Sequence, residues 1–152
     1  MVWMRQHSIV VDAPAATIYD YVADLTRHPE WAAQPMQMTA SGPGEARSVV
    51  DFRGMPIKAK VKIVEERRPT LLAYESTDLA GHYRWTFDLE PAGDATKVTH
   101  RVERLSAPMW VPLIQSWLMW PMSGGPGSRQ GLANLKRRLE AGQSGATASA
   151  GA

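Results

Sequence analysis

The sequence predicts an α+β protein built on an antiparallel sheet with helices on one side. Three observations carry this. From Met36 to Leu105 the chain reads as six runs of alternating apolar and polar residues. Each run is broken by Gly or Pro, as a meander of hairpins requires. One amphipathic helix precedes these runs, and an apolar stretch followed by a second amphipathic helix comes after them. The alternation is clearest where Ile57, Ala59, Val61 and Ile63 oppose Lys58, Lys60 and Lys62, and where Tyr83, Trp85, Phe87 and Leu89 oppose Arg84, Asp88 and Glu90. Such strands have one covered face and one solvated face.

The elements follow in order. A first strand is expected over Arg5–Val11, with Ile9 and Val11 on one face. In "DAPAATIYDYVADL", Asp12 is placed to cap a helix and Pro14 sits in its first turn, where a missing N–H costs nothing. Ala15, Ile18, Val22 and Leu25 then form one apolar stripe. "TRHPEW" reads as a second short helix or turn, begun by Pro29 and ended by Trp31. The six further strands are expected over Met36–Ser41, Ala46–Arg53, Ile57–Arg67, Leu71–Thr77, His82–Glu90 and Thr96–Leu105.

The apolar stretch runs from Met109 to Met122, too short for the roughly 20 residues of a bilayer-spanning helix. Within it, Trp110, Leu113, Trp117 and Trp120 fall on one helical stripe that Ile114 and Leu118 widen. Pro121 and the Gly-Gly-Pro-Gly run over 124–127 must interrupt a helix. A last helical piece follows, with Ser128 as its cap and Leu132, Leu135 and Leu139 as its apolar face. The expected domain is 1–140, and 141–152, small and polar, is expected to be a disordered tail.

Composition narrows the function classes. The 152 residues are 44% hydrophobic and 21% charged, ordinary for one globular domain. A net charge of +2, spread among nearly equal acids and bases, argues against nucleic acid as a partner. With no cysteine there is no disulfide, thiolate zinc site or cysteine nucleophile. This suits a cytoplasmic protein, and the N-terminal residues lack the apolar core of a signal peptide. The four His have no metal-pair spacing, and neither a phosphate-cradling Gly loop nor a G-x-S-x-G elbow occurs. No cofactor or metal is expected.

Several stretches resemble the START-like superfamily, also called SRPBCC or Bet v 1-like, which holds polyketide cyclases and lipid-transport domains. "SIVVDAPAATIYDYVADLTRHPEW" looks like its opening strand, Ala-Pro, helix and Pro-Glu-Trp element. "VTHRVE" resembles its last strand, and "GLANLKRRLE" the end of its last helix. The likeness spans about residues 5–140. It implies a helix-grip fold, a seven-stranded sheet curved around a C-terminal helix, with an apolar cavity between them. One departure is the break at 121–128, where the superfamily often has an uninterrupted helix.

Within that frame the candidate ligand-binding residues are Trp31, Phe52, Tyr74, Tyr83, Trp85, His100, Trp110, Leu113 and Trp117. His100 alternates with Val98 and Val102 and is expected to face inward. It is the candidate catalytic acid or base if the protein is an enzyme, and otherwise a core histidine or an orienting group. Tyr74 and Ser76 share a face with Leu72 in one of two registers, whereas His7 and His28 look peripheral. The tryptophans of the apolar stretch can be read as pocket lining, as core, or as a surface patch. Met36, Met38, Met55, Met109, Met119 and Met122 are flexible fillers suited to an adaptable cavity or to an ordinary core.

Three functions remain open. The first is binding or transport of a small hydrophobic ligand such as a lipid, polyketide-like aromatic or isoprenoid. The second is a polyketide-cyclase or dehydratase-like enzyme. The third is an interaction module touching a protein or membrane transiently through Trp117 and Trp120. Monomer and homodimer are both compatible with the sequence.

Overall fold

The computed structural model describes residues 3–114 and 126–150, excluding the side chains of 126 and 143–150. Seven strands form one antiparallel sheet: β1 Met4–Val11, β2 Met36–Gly42, β3 Glu45–Phe52, β4 Met55–Arg67, β5 Leu71–Asp78, β6 Gly81–Ala92 and β7 Ala95–Ser106. Their order is β1-β7-β6-β5-β4-β3-β2, so the meander from β2 to β7 is followed across the sheet and β1 closes its far edge. The helices of the described residues are α1 (Ala15–Ala23), a 3-10 helix (Leu25–Glu30), α2 (Val111–Ile114) and the long α3 (Pro126–Ala150). This is the seven-stranded, helix-grip arrangement that the alternation and the resemblance predict.

Capping differs from expectation. Pro14, in extended conformation, occupies the cap position of α1 and makes no side-chain cap bond. Asp12 does not cap it; its backbone N–H instead donates to Glu140 Oε1 of α3 at 3.0 Å. The 3-10 helix starts at Leu25, with Asp24 as cap accepting from Thr26 N–H at 3.1 Å, and Pro29 lies inside it rather than at its start. Helix α3 begins at Pro126, which suits a first helical residue, so Ser128 sits in its first turn and is not the cap. Its backbone continues to Ala150, past the boundary expected at 140. Propagation from a formed helix needs no new nucleus, and this extends the helix through a weakly patterned sequence. Of the break expected over 121–128, Pro126, Gly127 and Ser128 instead lie within α3, and 121–125 lie outside the described residues.

The core forms where α1 and α3 press on the sheet. Ile18 and Val22 from α1 meet Leu72, Phe87, Leu89 and Val98 from the strands. Leu132, Leu135 and Leu139 close over them from α3, as their spacing predicts. Fully burying one such aliphatic side chain stabilises the fold by about 1.5–3 kcal/mol. Polar contacts lock α3 to the edge: Lys136 Nζ donates to Val10 O at 2.8 Å, and Asn134 Nδ2 to Trp31 O at 3.1 Å. No helix among the described residues is long and apolar enough to cross a membrane.

Candidate functional site

The sheet and α3 do not close against each other along their whole length. Beneath the first turns of α3 lies a partly enclosed cavity of about 230 Å³. Its origin is a matter of residue size. On the helix side stand Gly127, Ser128 and Gly131. On the sheet side, register pairs Ser48 with Ala59 and Met38 with Ser48. Residues this small cannot meet across the gap that Leu132, Leu135 and Leu139 fill one turn further on.

The walls are apolar and aromatic. Cross-strand pairing places Tyr74 beside Trp85 and Phe87 beside His100. The Tyr74 and Trp85 rings lie nearly parallel, with centroids 6.2 Å apart. The His100 ring stacks on Phe87 at 4.4 Å and faces the edge of Trp31 at 6.4 Å. Met36, Met38, Val50 and Ile57 line the side toward the β2 edge. Trp85 Nε1 donates to Ser76 Oγ at 2.8 Å, which fixes the indole and leaves the hydroxyl proton of Ser76 able to donate in turn.

Two histidines line the cavity, and burial holds both neutral. His100, 6% exposed, has its pKa pushed down to about 3, chiefly by burial and further by repulsion from His28 and His7. Its Nε2 is buried without a hydrogen-bond partner among the described residues. His28, 3% exposed, is lowered to about 4 by burial, against which its bond to Val22 O works. That bond, from Nε2 at 3.0 Å, fixes the tautomer, because a carbonyl only accepts. The proton is therefore on Nε2 and the lone pair on Nδ1. Burial also raises the Tyr74 phenol, so it stays protonated.

Three further polar groups come from β5 and the start of β6. Ser76, Asp78 and Tyr83 all line the cavity. Asp78 Oδ1 accepts from the backbone N–H groups of Ala80 at 2.7 Å and Gly81 at 3.1 Å. Burial raises its pKa, and these two bonds oppose that rise. A second depression, of about 410 Å³, lies on the outer sheet face. It is lined mainly by charged and polar side chains, among them the pairs of Lys62 with Glu45 at 3.6 Å and His82 with Glu75 at 2.7 Å, so it offers little apolar burial. Among the described residues no group of three His, Asp or Glu could hold a metal ion.

Of the residues the sequence singles out, Trp31, Tyr74, Tyr83, Trp85 and His100 come together on the cavity wall. The register of β5 resolves with Leu72, Tyr74 and Ser76 facing inward. Phe52, at the end of β3, is half-buried and lies outside the lining. Trp110 and Leu113 also lie outside it, 44% and 82% exposed, and Met55 and Met109 are exposed as well. Within Val111–Ile114 only Val111 is buried, and Pro112 and Leu113 are exposed. Trp117, Trp120, Met119 and Met122 lie outside the described residues.

Sequence reasoning misplaced His28, which is buried in the wall and not peripheral. It also passed over Asp78, Ser48 and the small residues of α3. The Gly-Pro-Gly-Ser run was the available signal for the last of these, since residues without bulk at the head of a core helix leave space.

A sheet gripping a helix over an apolar, aromatic-walled cavity has the form of a small-molecule site. Comparison then identifies the family: residues 5–140 match the model described as polyketide cyclase / dehydrase and lipid transport, and the chain belongs to that family. Solved structures share the fold at low identity. A START superfamily protein from Mycobacterium smegmatis is 19% identical with a TM-score of 0.69, covering 90% of this chain and 97% of that one. The Zhui aromatase/cyclase from Streptomyces sp. R1128 is 15% identical with a TM-score of 0.72, covering 92% and 94%. A conserved protein from Geobacillus kaustophilus is 11% identical with a TM-score of 0.73, covering 91% and 95%. No curated protein sequence matches the chain.

Proposed function

We propose that this protein binds a small hydrophobic ligand in the cavity beneath α3 and carries it without converting it. One observation supports this most: small residues on both sides, Gly127, Ser128 and Gly131 facing Ser48 and Ala59, keep open a space walled by aromatic and methionine side chains. Apolar walls supply affinity, and a few polar groups orient the ligand. The volume is below the roughly 300–1,000 Å³ of typical small-molecule sites. A compact lipid, aromatic or isoprenoid suits it, or a longer one that extends through the mouth. The family's lipid-transport members and the START-type neighbour agree with a carrier.

The family description and the aromatase/cyclase neighbour favour a second reading, an enzyme that folds a reactive chain and catalyses its cyclisation or dehydration. Acid–base catalysis works best with a group whose pKa lies near the working pH. His100 and His28, at about 3 and 4, are far from that, which weighs toward the carrier. His100→Gln separates the two readings. A carrier keeps its ligand with a modest loss of affinity, whereas an enzyme relying on His100 loses roughly 100-fold or more in turnover.

The direct test is titration with the neutral apolar fluorophore N-phenyl-1-naphthylamine, read by energy transfer from tryptophan. Trp31 and Trp85 on the wall would be the donors nearest a bound probe, and the filled variants show whether the signal comes from the cavity. Saturable one-to-one binding that is lost in both Ala59→Leu and Ser128→Leu is expected. Absence of saturable binding, or equal binding in both filled variants, would remove the cavity from the account.

A further inference from the structure

The lining carries an unbalanced charge. Among the described residues no Lys or Arg lines the cavity, and the two histidines that do are neutral. The whole stretch from Ala107 to Ser128 contains no charged residue, so the segment leading into α3 cannot supply a cation either. One ionisable acid stands in the wall, Asp78. It forms no ion pair among the described residues, and no basic side chain is near enough to offset its burial.

Its geometry is held from behind. Oδ1 is occupied by the Ala80 and Gly81 N–H groups, and Oδ2 has no hydrogen-bond donor among the described residues. The turn itself is fixed. Gly81 has φ +141, and a Cβ there would come within 2.4 Å of Ser106 O, so only glycine fits. Tyr83 Oη donates to Ala80 O at 3.3 Å, tying the turn to the β6 wall. A half-buried carboxylate with one free oxygen and no counter-charge is costly unless a donor reaches it.

We propose that the cavity selects an amphiphile whose head group is a hydrogen-bond donor, an amine before a hydroxyl, and rejects the carboxylate of a free fatty acid, with Asp78 as the residue that reads the head. This rests on the ligand-binding reading above. The apolar body lies between the Trp85 and Met38 sides, and the head meets Oδ2 of Asp78 beside the Ser76 hydroxyl. A carboxylate head in the same place would face Asp78 with no cation to neutralise either group.

The test is displacement of N-phenyl-1-naphthylamine from the full chain by decylamine, decanol and decanoate at pH 7.5. Decylamine is expected to displace the probe at concentrations roughly tenfold or more below decanoate, as a charge-assisted bond against a like-charge contact requires. Asn keeps the side-chain oxygen that accepts from Ala80 and Gly81, so Asp78→Asn preserves the turn. In it the gap should shrink to within about threefold, with decanol little changed. Asp94→Asn, an equal charge change in an exposed turn, should keep the full gap. Equal competition by decanoate and decylamine on the unaltered protein overturns the proposal, as does a gap that survives Asp78→Asn or disappears in Asp94→Asn. If the probe does not bind, or none of the three displaces it, the ligand-binding reading itself fails and the head-group selectivity falls with it.

Discussion

The two ends of the groove between sheet and α3 are built to opposite rules. At one end Leu132, Leu135 and Leu139 descend onto Leu89, Val98 and Val11, and the space is filled with aliphatic side chains that are nearly or completely buried. At the other, the same helix offers Gly127, Ser128 and Gly131 to Ser48 and Ala59, and the space stays open. The helix crosses one sheet, so backbone geometry does not separate the ends; side-chain volume does. Protein interiors otherwise pack as tightly as organic crystals, and an unfilled end gives up dispersion contacts that the filled end keeps. The filled end therefore supplies stability, and the open end gives some up, as the proposed ligand site requires.

Substitutions that exchange these roles give the largest contrast. Leu135→Ala, at a side chain with 0% exposure, should cost about 2–5 kcal/mol in urea unfolding while leaving probe affinity unchanged below the transition. Ala59→Leu should do the reverse, abolishing probe binding with stability within about 1.5 kcal/mol of the unaltered protein. A large stability loss in Ala59→Leu would show the open end to be already full.

Acid should act mainly on the open end, where the two depressed histidines lie. An unfolded His titrates near its ordinary 6.5, whereas folded His28 and His100 stay neutral down to about 4 and 3. Between these values the unfolded chain binds more protons, so stability is complete above about 6.5 and falls as pH drops toward the folded values. By pH 5 the loss should be on the order of 2 kcal/mol for each histidine. Urea unfolding at pH 7.5 and 5.0 measures it, and His100→Gln should roughly halve the difference. A pH-independent stability over this range would mean that the histidines are not desolvated.

Smaller effects sharpen the contrast. Trp85→Phe removes the bond to Ser76 Oγ and should cost about 1 kcal/mol in stability while weakening probe binding, because the ring belongs to the open end. Arg68→Ala breaks a pair with Asp20 in which both side chains are more than half exposed, and it should change neither property measurably.

Most of the sheet was legible in the sequence, because one solvated face imposes a strict period of two. The alternation of Ile57 to Ile63 and of Tyr83 to Leu89 placed β4 and β6 within about two residues of their ends and set His100 inward. His28 was not legible. It lies in six residues of 3-10 helix, too short for any periodicity, and its burial depends on a bond to Val22 O that sequence spacing does not announce. Asp78 followed the strand expected over Leu71–Thr77 and read as the start of the turn, whereas it is the last residue of β5 and continues the inward face of Leu72, Tyr74 and Ser76. Trp110 and Leu113 share a stripe with Trp117 and Trp120 only in a long helix, and of that stretch the described residues hold only the turn Val111–Ile114.

The most direct test follows the methyl groups of the two ends by NMR as the neutral probe is added. Met36 and Met38 Cε and Ile57 Cδ1 report the open end, and the Leu135 and Leu139 methyls the filled end. Saturable shifts at Met36, Met38 and Ile57, with Leu135 and Leu139 nearly still, are the predicted result. Shifts confined to exposed Met109 and Leu113, or spread equally over both ends, would contradict the division of the groove into a filled end and a binding end.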